Sequence, residues 1–176
     1  FNYINKNLVK NKKIKKIVID WFDKKNEKRN GAVKRHDFKI NFIEDIFYHI
    51  YSILYLLAKI KKYSFNKRPY EVKRVTQLNF FVNNKINTTL NSSRSHDCRI
   101  RMVKFFFKNN NNLIVNFSKD TDVKVKFNNK IIKIPSELMS KTIKYQLYFF
   151  LKPKKNDKKI LLINFVNLKE FFKNLY

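Results

Sequence analysis

A single glycine, Gly31, serves a chain of 176 residues, and no other feature limits its backbone so sharply. Glycine reaches positive φ without steric cost, so helix stops, tight turns and phosphate-cradling loops usually draw on it. Neither GxGxxG nor GxxxxGK can be written in this chain, which removes the nucleotide-binding loops built on those patterns. Asparagine is the other residue that tolerates positive φ. Asn128-Asn129, set between two alternating runs, therefore reads as a two-residue hairpin turn, and the run Asn109 to Asn112 as a second turn. Asn30-Gly31 reads as a helix stop.

Charge is the next constraint. Forty Lys and Arg face 13 Asp and Glu, a formal net charge of +27. Phe, Tyr, Met, Ile, Asn and Lys supply 105 residues, whereas Gly, Ala, Arg and Pro supply 13. That split follows AT-rich against GC-rich codons and points to an AT-rich genome, which accounts for much of the lysine and asparagine. It does not account for the threefold excess of bases over acids. Self-repulsion on this scale favours a polyanionic partner, nucleic acid before an anionic membrane. A hydrophobic fraction of 44% supplies a true core. One cysteine, Cys98, excludes an intrachain disulfide framework and a multi-cysteine zinc module.

The periodicity predicts an α+β fold: two N-terminal helices, then a mainly antiparallel sheet with added helices. Ile14, Ile17, Val18, Trp21 and Phe22 recur at helical spacing, so residues 8–29 read as a basic amphipathic helix. Residues 1–35 are expected to form a basic helical extension and 36–176 a single α+β domain. Residues 38–62 carry Phe42, Ile43, Ile46, Phe47, Ile50, Leu54, Leu57 and Ile60 at i, i+3, i+4 spacing, the strongest helical pattern. Its apolar stretch is shorter than a membrane span of about 20 residues, so no spanning helix is expected. Strands are expected over 72–82, 98–107, 113–117, 123–127 and 130–134, with 83–95 as a polar loop. Beyond these, 135–151 reads as a helix, 152–159 as a charged turn, 160–166 as a strand and 168–175 as a short helix.

Three basic clusters stand out as contacts for RNA phosphates. Lys10, Lys12, Lys13, Lys15 and Lys16 join Arg29, Lys34 and Arg35 in the first. Arg94, Arg99, Arg101 and Lys104 form the second. Lys152, Lys154, Lys155, Lys158 and Lys159 form the third. The second is the most pointed, because three of only seven arginines fall within eight residues. The planar guanidinium fork pairs with phosphate in a way lysine does not.

Other constellations carry less. Ser95-His96-Asp97-Cys98 has the residue types of a Cys–His pair, but Cys98 opens an apolar strand face and reads as a small buried thiol. His36, His49 and His96 are too scattered for a metal site, and Asp120 and Asp122 fall in a turn beside Lys119. No metal or other cofactor is expected. The Asn-x-Ser/Thr triplets at Asn87, Asn91 and Asn116 are what chance gives in so asparagine-rich a chain.

In its Lys, Asn, Phe and Ile richness, basic helical extension and small α+β body, the chain resembles ribosomal proteins encoded in AT-rich organellar genomes, such as ciliate mitochondrial ones. The resemblance is one of style across the whole chain and matches no specific ribosomal family. It implies a structural, non-enzymatic constituent of a mitochondrial ribosome, in contact with ribosomal RNA and neighbouring ribosomal proteins. Two alternatives remain: a peripheral subunit of a mitochondrial membrane complex, and an organellar intron maturase or nuclease.

Overall fold

The fold was analysed in a computed structural model, which describes residues 4–10, 12–29, 32–33, 42–58, 63–65, 70–72, 75–119 and 122–133. After a π-type turn over Asn5–Val9 come β1 (Ile14–Lys24), the short pair β2 (Lys28–Arg29) and β3 (Ala32–Val33), and helix α1 (Phe42–Ala58). Then follow β4 (Tyr63–Phe65), β5 (Tyr70–Val72), β6 (Val75–Val82), β7 (Ile86–His96), β8 (Ile100–Phe107), β9 (Asn112–Lys119), β10 (Asp122–Phe127) and β11 (Lys130–Ile132). Among the described residues, all but β2 and β3 join one nine-stranded mixed sheet in the order β11-β10-β9-β8-β1-β7-β6-β4, with β5 also on β6.

The expected pair of N-terminal helices is corrected by this sheet. Residues 14–24 form a strand near its centre, parallel to β7 on one side and antiparallel to β8 on the other. The spacing of Ile14, Ile17, Val18, Trp21 and Phe22 fits a helix, but it also fits a strand that carries apolar residues on both faces. Ile19 decides between them. It breaks the helical stripe, and it is fully buried together with Ile17. Isoleucine and valine are stiff at χ1 and sit well on a pleated surface.

The polar stretch at 83–95, expected as a loop, is mostly β7, again a central strand. Thr88 and Ser92 point to the packed face and are fully buried. Their alternates Asn87, Thr89 and Asn91 lie on the opposite face. Hydroxyls hide the alternation because they are polar by type yet small enough to lie under a helix. The Thr88 hydroxyl is satisfied by the Ile86 carbonyl at 3.3 Å and the Ser92 hydroxyl by the Thr76 carbonyl at 3.2 Å, as buried polar groups require.

Helix α1 follows its periodicity. Ile43, Ile46, Phe47, Ile50, Leu54 and Leu57 are buried against the sheet. Phe47 meets Phe80 edge-on at 5.9 Å, and Trp21 of β1 stacks on His49 at 5.8 Å. Across the sheet the same face adds Leu78, Leu90, Val103, Phe105, Leu113, Val115 and Val125 to one continuous core. Burial of each large side chain contributes about 1.5–3 kcal/mol before the cost of ordering the chain.

Asparagine takes over the turns. Every non-glycine residue with positive φ among those described is an asparagine: Asn26, Asn83, Asn84, Asn110, Asn128 and Asn129. Asn128 and Asn129, at φ 48° and 64°, close the β10–β11 hairpin as expected. The elements expected at 135–175, the expected helix stop at Asn30-Gly31, and the flanks of α1 at 38–41 and 59–62 lie outside the described residues. Among the described residues no helix is long and apolar enough to cross a membrane.

Candidate functional site

β1 and β7 run parallel, so their carboxyl ends emerge together on one rim of the sheet. In open sheets with parallel strands, this is the rim at which ligands gather. Here it collects Asp23, Lys24 and Lys25 from β1 and its turn, Arg94 and His96 from β7, and Arg99 and Arg101 at the start of β8. The register places Trp21 opposite Arg101 and Phe22 opposite both Ile100 and Ser93.

The second basic cluster is therefore brought together, and acids meet it. Arg101, 6% exposed, points into the packed face and pairs with Asp23, 2% exposed. It also donates from Nη1 to the Phe22 carbonyl at 2.7 Å and to the Ile100 carbonyl at 3.1 Å, with its guanidinium 4.3 Å from the Trp21 ring centre. Burial lowers the Arg101 pKa from its usual value, while the hydrogen bond and charge of Asp23 oppose that shift. Arg99 lies 3.6 Å from Glu27. Arg94 lies 3.6 Å from Asp45 and over the Phe42 ring at 4.9 Å, tying β7 to the first turn of α1. The sequence marked these arginines but not their acids, because residues 23 and 101 meet only through the strand register.

Lys104 turns to the other face of the sheet. Its Nζ is 2.7 Å from Asp20 Oδ2. Asp20 Oδ1 accepts from Asn91 Nδ2 at 2.8 Å, and Asn91 Oδ1 accepts from Gln77 Nε2 at 2.7 Å. Tyr70 donates in turn to Gln77 Oε1. A polar ladder thus crosses β5, β6, β7, β1 and β8, with no sequence signal beyond alternation inside β7.

The first cluster is split from the second by the length of β1. Lys15 and Lys16 are exposed at its amino end, and Lys10 and Lys13 are exposed just before it. Lys12 lies over the Phe127 and Phe107 rings at 4.1 and 5.6 Å. The backbone of Arg29 belongs to β2. Lys34, Arg35, Lys152, Lys154, Lys155, Lys158 and Lys159 lie outside the described residues.

Cys98, expected as a buried thiol, is exposed in the bend between β7 and β8. Register shifts between Phe22 and Lys24, where Lys24 pairs with His96, and such bulges re-aim side chains. The His96 ring stacks on Phe22 with centroids 4.6 Å apart. Among the described residues no three His, Cys, Asp or Glu side chains group as a metal site.

No protein-family pattern matches the sequence, and no curated protein matches it. Solved structures do match by shape. The D-galactose-1-dehydrogenase protein from Rhizobium etli aligns with a TM-score of 0.54 and 8% identity, over 93% of this chain and 52% of that one. The chain shares its fold with dehydrogenases and ketoreductases. UDP-N-acetylglucosamine 3-dehydrogenase from Acidithiobacillus ferrooxidans gives a TM-score of 0.50 and 13% identity, over 80% of this chain and 45% of that one. A 3-ketoreductase from Actinomadura kijaniata, solved with TDP-benzene and NADP, gives 0.50 and 10%, over 90% and 51%. The chain spans about half the length of each.

This likeness corrects the expectation of a non-enzymatic ribosomal constituent with RNA-binding and translational character. The sheet has the fold of the aligned dehydrogenase and ketoreductase structures, and Arg101, Arg99 and Arg94 lie against Asp23, Glu27 and Asp45 respectively.

The fold raises the question of a nicotinamide dinucleotide. A dinucleotide cradle needs glycines where backbone nears the pyrophosphate. The turn after β1 instead runs through Lys25 and Asn26, with Asn26 at φ 61° and Glu27 N–H bonded to the Lys24 carbonyl at 3.2 Å. No glycine stands in this turn, and β2 rather than a helix follows it. The described residues do not fit that cofactor.

Proposed function

We propose that the chain is the substrate-side sheet of an oxidoreductase-type protein, and that it binds a phosphorylated or nucleotide-linked sugar at the carboxyl ends of β1 and β7. The observation that carries this reading is the shared fold, since alignments with sugar dehydrogenases and a ketoreductase cover 80–93% of the chain. The rim supplies suitable chemistry. Lys24 and Lys25 are exposed, and Arg99 adds a guanidinium held near Glu27. Diphosphate oxygens are acceptors for such charge-assisted hydrogen bonds. Arg101 and Asp23 stay below, as the rigid floor that holds the ends of β1 and β8 in register.

Calorimetric titration of the full chain with UDP-N-acetylglucosamine, uridine and NADPH tests the reading. The expected result is binding of the nucleotide sugar, none of uridine, and no tight NADPH site. Lys24→Ala/Lys25→Ala, a change at two exposed positions, should weaken nucleotide-sugar binding about tenfold, and added salt should weaken it further. Absence of nucleotide-sugar binding at low salt contradicts the reading, and so does unchanged affinity in the double variant.

A further inference from the structure

Sugar binding at the rim uses one end of the sheet and gives no role to the face turned away from the packed core. The strand register sets out that face in rows. Lys16 of β1 lies beside Phe106 of β8, and Phe106 beside Asn112 of β9. The next row runs Val18, Lys104, Ile114, Lys126 and Ile131, from β1 across to β11. A third row runs Asp20, Met102, Asn116 and Lys124. Neighbouring strands lie about 4.8 Å apart, so the middle row spans roughly 19 Å. Along it, apolar and basic side chains alternate from strand to strand.

Burial follows the same division. Val103, Phe105, Val115 and Val125 fill the packed side, whereas Phe106 is 37% and Ile131 72% exposed. Lys16, Lys124 and Lys126 are exposed around them. Lys108 N–H donates to the Lys13 carbonyl at 2.9 Å, which sets two further exposed lysines at the Phe106 end of the patch. The acid of the three rows is Asp20. It is buried and held by Lys104 at 2.7 Å and Asn91 at 2.8 Å, so its charge is answered within the sheet.

Large apolar side chains exposed among charges mark a contact surface. The charges narrow the choice of partner. A second copy of this face would set lysine against lysine. Every base in the three rows is a lysine, a point charge that lacks the planar fork with which arginine reads single phosphates. Lysine stems also lie along apolar neighbours while their ammonium groups reach outward, as at the boundary between acyl chains and headgroups. We propose that this face docks on an anionic lipid surface. Phe106 and Ile131 enter the acyl boundary, and Lys16, Lys124 and Lys126 lie among the headgroup phosphates. Such docking sums apolar burial and attraction to anionic lipid. It goes beyond sugar binding and does not depend on it, because Lys24 and Lys25 of the rim take no part.

The test is co-sedimentation of the full chain with vesicles of phosphatidylcholine alone or mixed with phosphatidylglycerol. Binding is expected to the mixed vesicles only, and added salt should weaken it. Lys16→Ala/Lys126→Ala should weaken it about tenfold. Lys24→Ala/Lys25→Ala removes the same charge from the rim and should have a much smaller effect, which separates this proposal from the fate of the sugar site. Phe106→Ser/Ile131→Ser leaves the charge unchanged and should also weaken binding about tenfold. Each variant is compared at parental circular dichroism. In Phe106→Trp, brominated acyl chains should quench the new emission and spare that of buried Trp21. Equal losses from the two lysine pairs would mean attraction by net charge alone and overturn the proposal. Full binding by Phe106→Ser/Ile131→Ser would overturn it too, and would favour a purely ionic partner such as an acidic protein. Absence of binding to mixed vesicles at low salt, or of quenching in Phe106→Trp, contradicts it directly.

Discussion

Arg101 donates from Nη2 to Asp23 Oδ1, joining β8 to β1 beneath the Trp21 ring, and both side chains are sealed from solvent. A chain with 27 more positive than negative charges thus places one of its scarce acids inside, against one of its scarce arginines. Removing one partner leaves a buried charge short of its counter-ion, which typically costs about 3–5 kcal/mol. Arg101→Met should therefore lower unfolding stability by an amount in that range. Asp23→Asn/Arg101→Met should recover a large part of it, because the uncompensated carboxylate is gone. Urea denaturation of the two variants and the parent checks this, and equal losses in both variants would deny that the pair is coupled.

Tyr63 gives a prediction in pH. Its hydroxyl is buried with no hydrogen-bond partner among the described residues. Burial, helped by nearby Tyr51, raises its pKa well above 10.0. The native state therefore keeps this proton at pH values where the unfolded chain releases it. Its contribution is complete below about pH 10 and is lost as pH rises toward the folded-state value. Tyr63→Phe should show a shallower alkaline decline in stability than the parent. At neutral pH it should be equal or about 1 kcal/mol more stable, because an unsatisfied hydroxyl is removed. A loss of more than about 1 kcal/mol at neutral pH would mean that the hydroxyl has a partner.

Asn129 tests the substitute for glycine. Its φ of 64° suits glycine and penalises a β-branched side chain. Asn129→Gly should leave stability within about 0.5 kcal/mol of the parent, and Asn129→Val should cost about 1–2 kcal/mol. Thermal unfolding of the two variants measures the difference, and equal midpoints would place the turn elsewhere.

What could be read from the sequence depended on how many faces an element buries. Helix α1 buries one face, so Ile43, Phe47, Ile50, Leu54 and Leu57 announce it. The Asn128-Asn129 hairpin announces itself through local chemistry. β1 has apolar residues on both faces, and the apolar positions of the two faces together imitate a helical stripe that only Ile19 interrupts. β7 turns Thr88 and Ser92 inward, and their hydroxyls conceal the period of two. The arginine cluster was visible as a cluster, but the acids that meet it were not. Asp23 and Arg101 are distant in sequence, and the register that joins them depends on the whole sheet. Cys98 was misjudged because β8 begins at Ile100, after the bend that lifts the thiol into solvent.

β1 is the parallel seam of the sheet, and its pairing with β7 builds both the fold and its rim. Nuclear Overhauser contacts from the backbone of Ile19 decide it most directly. The pairing places Ile19 opposite Leu90 on one side and Val103 on the other. The predicted result is cross-strand contacts from Ile19 to the backbones of both, with slow amide exchange along residues 17–21. Sequential amide–amide contacts and i to i+3 contacts through residues 14–24, with none to Leu90 or Val103, would show a helix there and contradict the account.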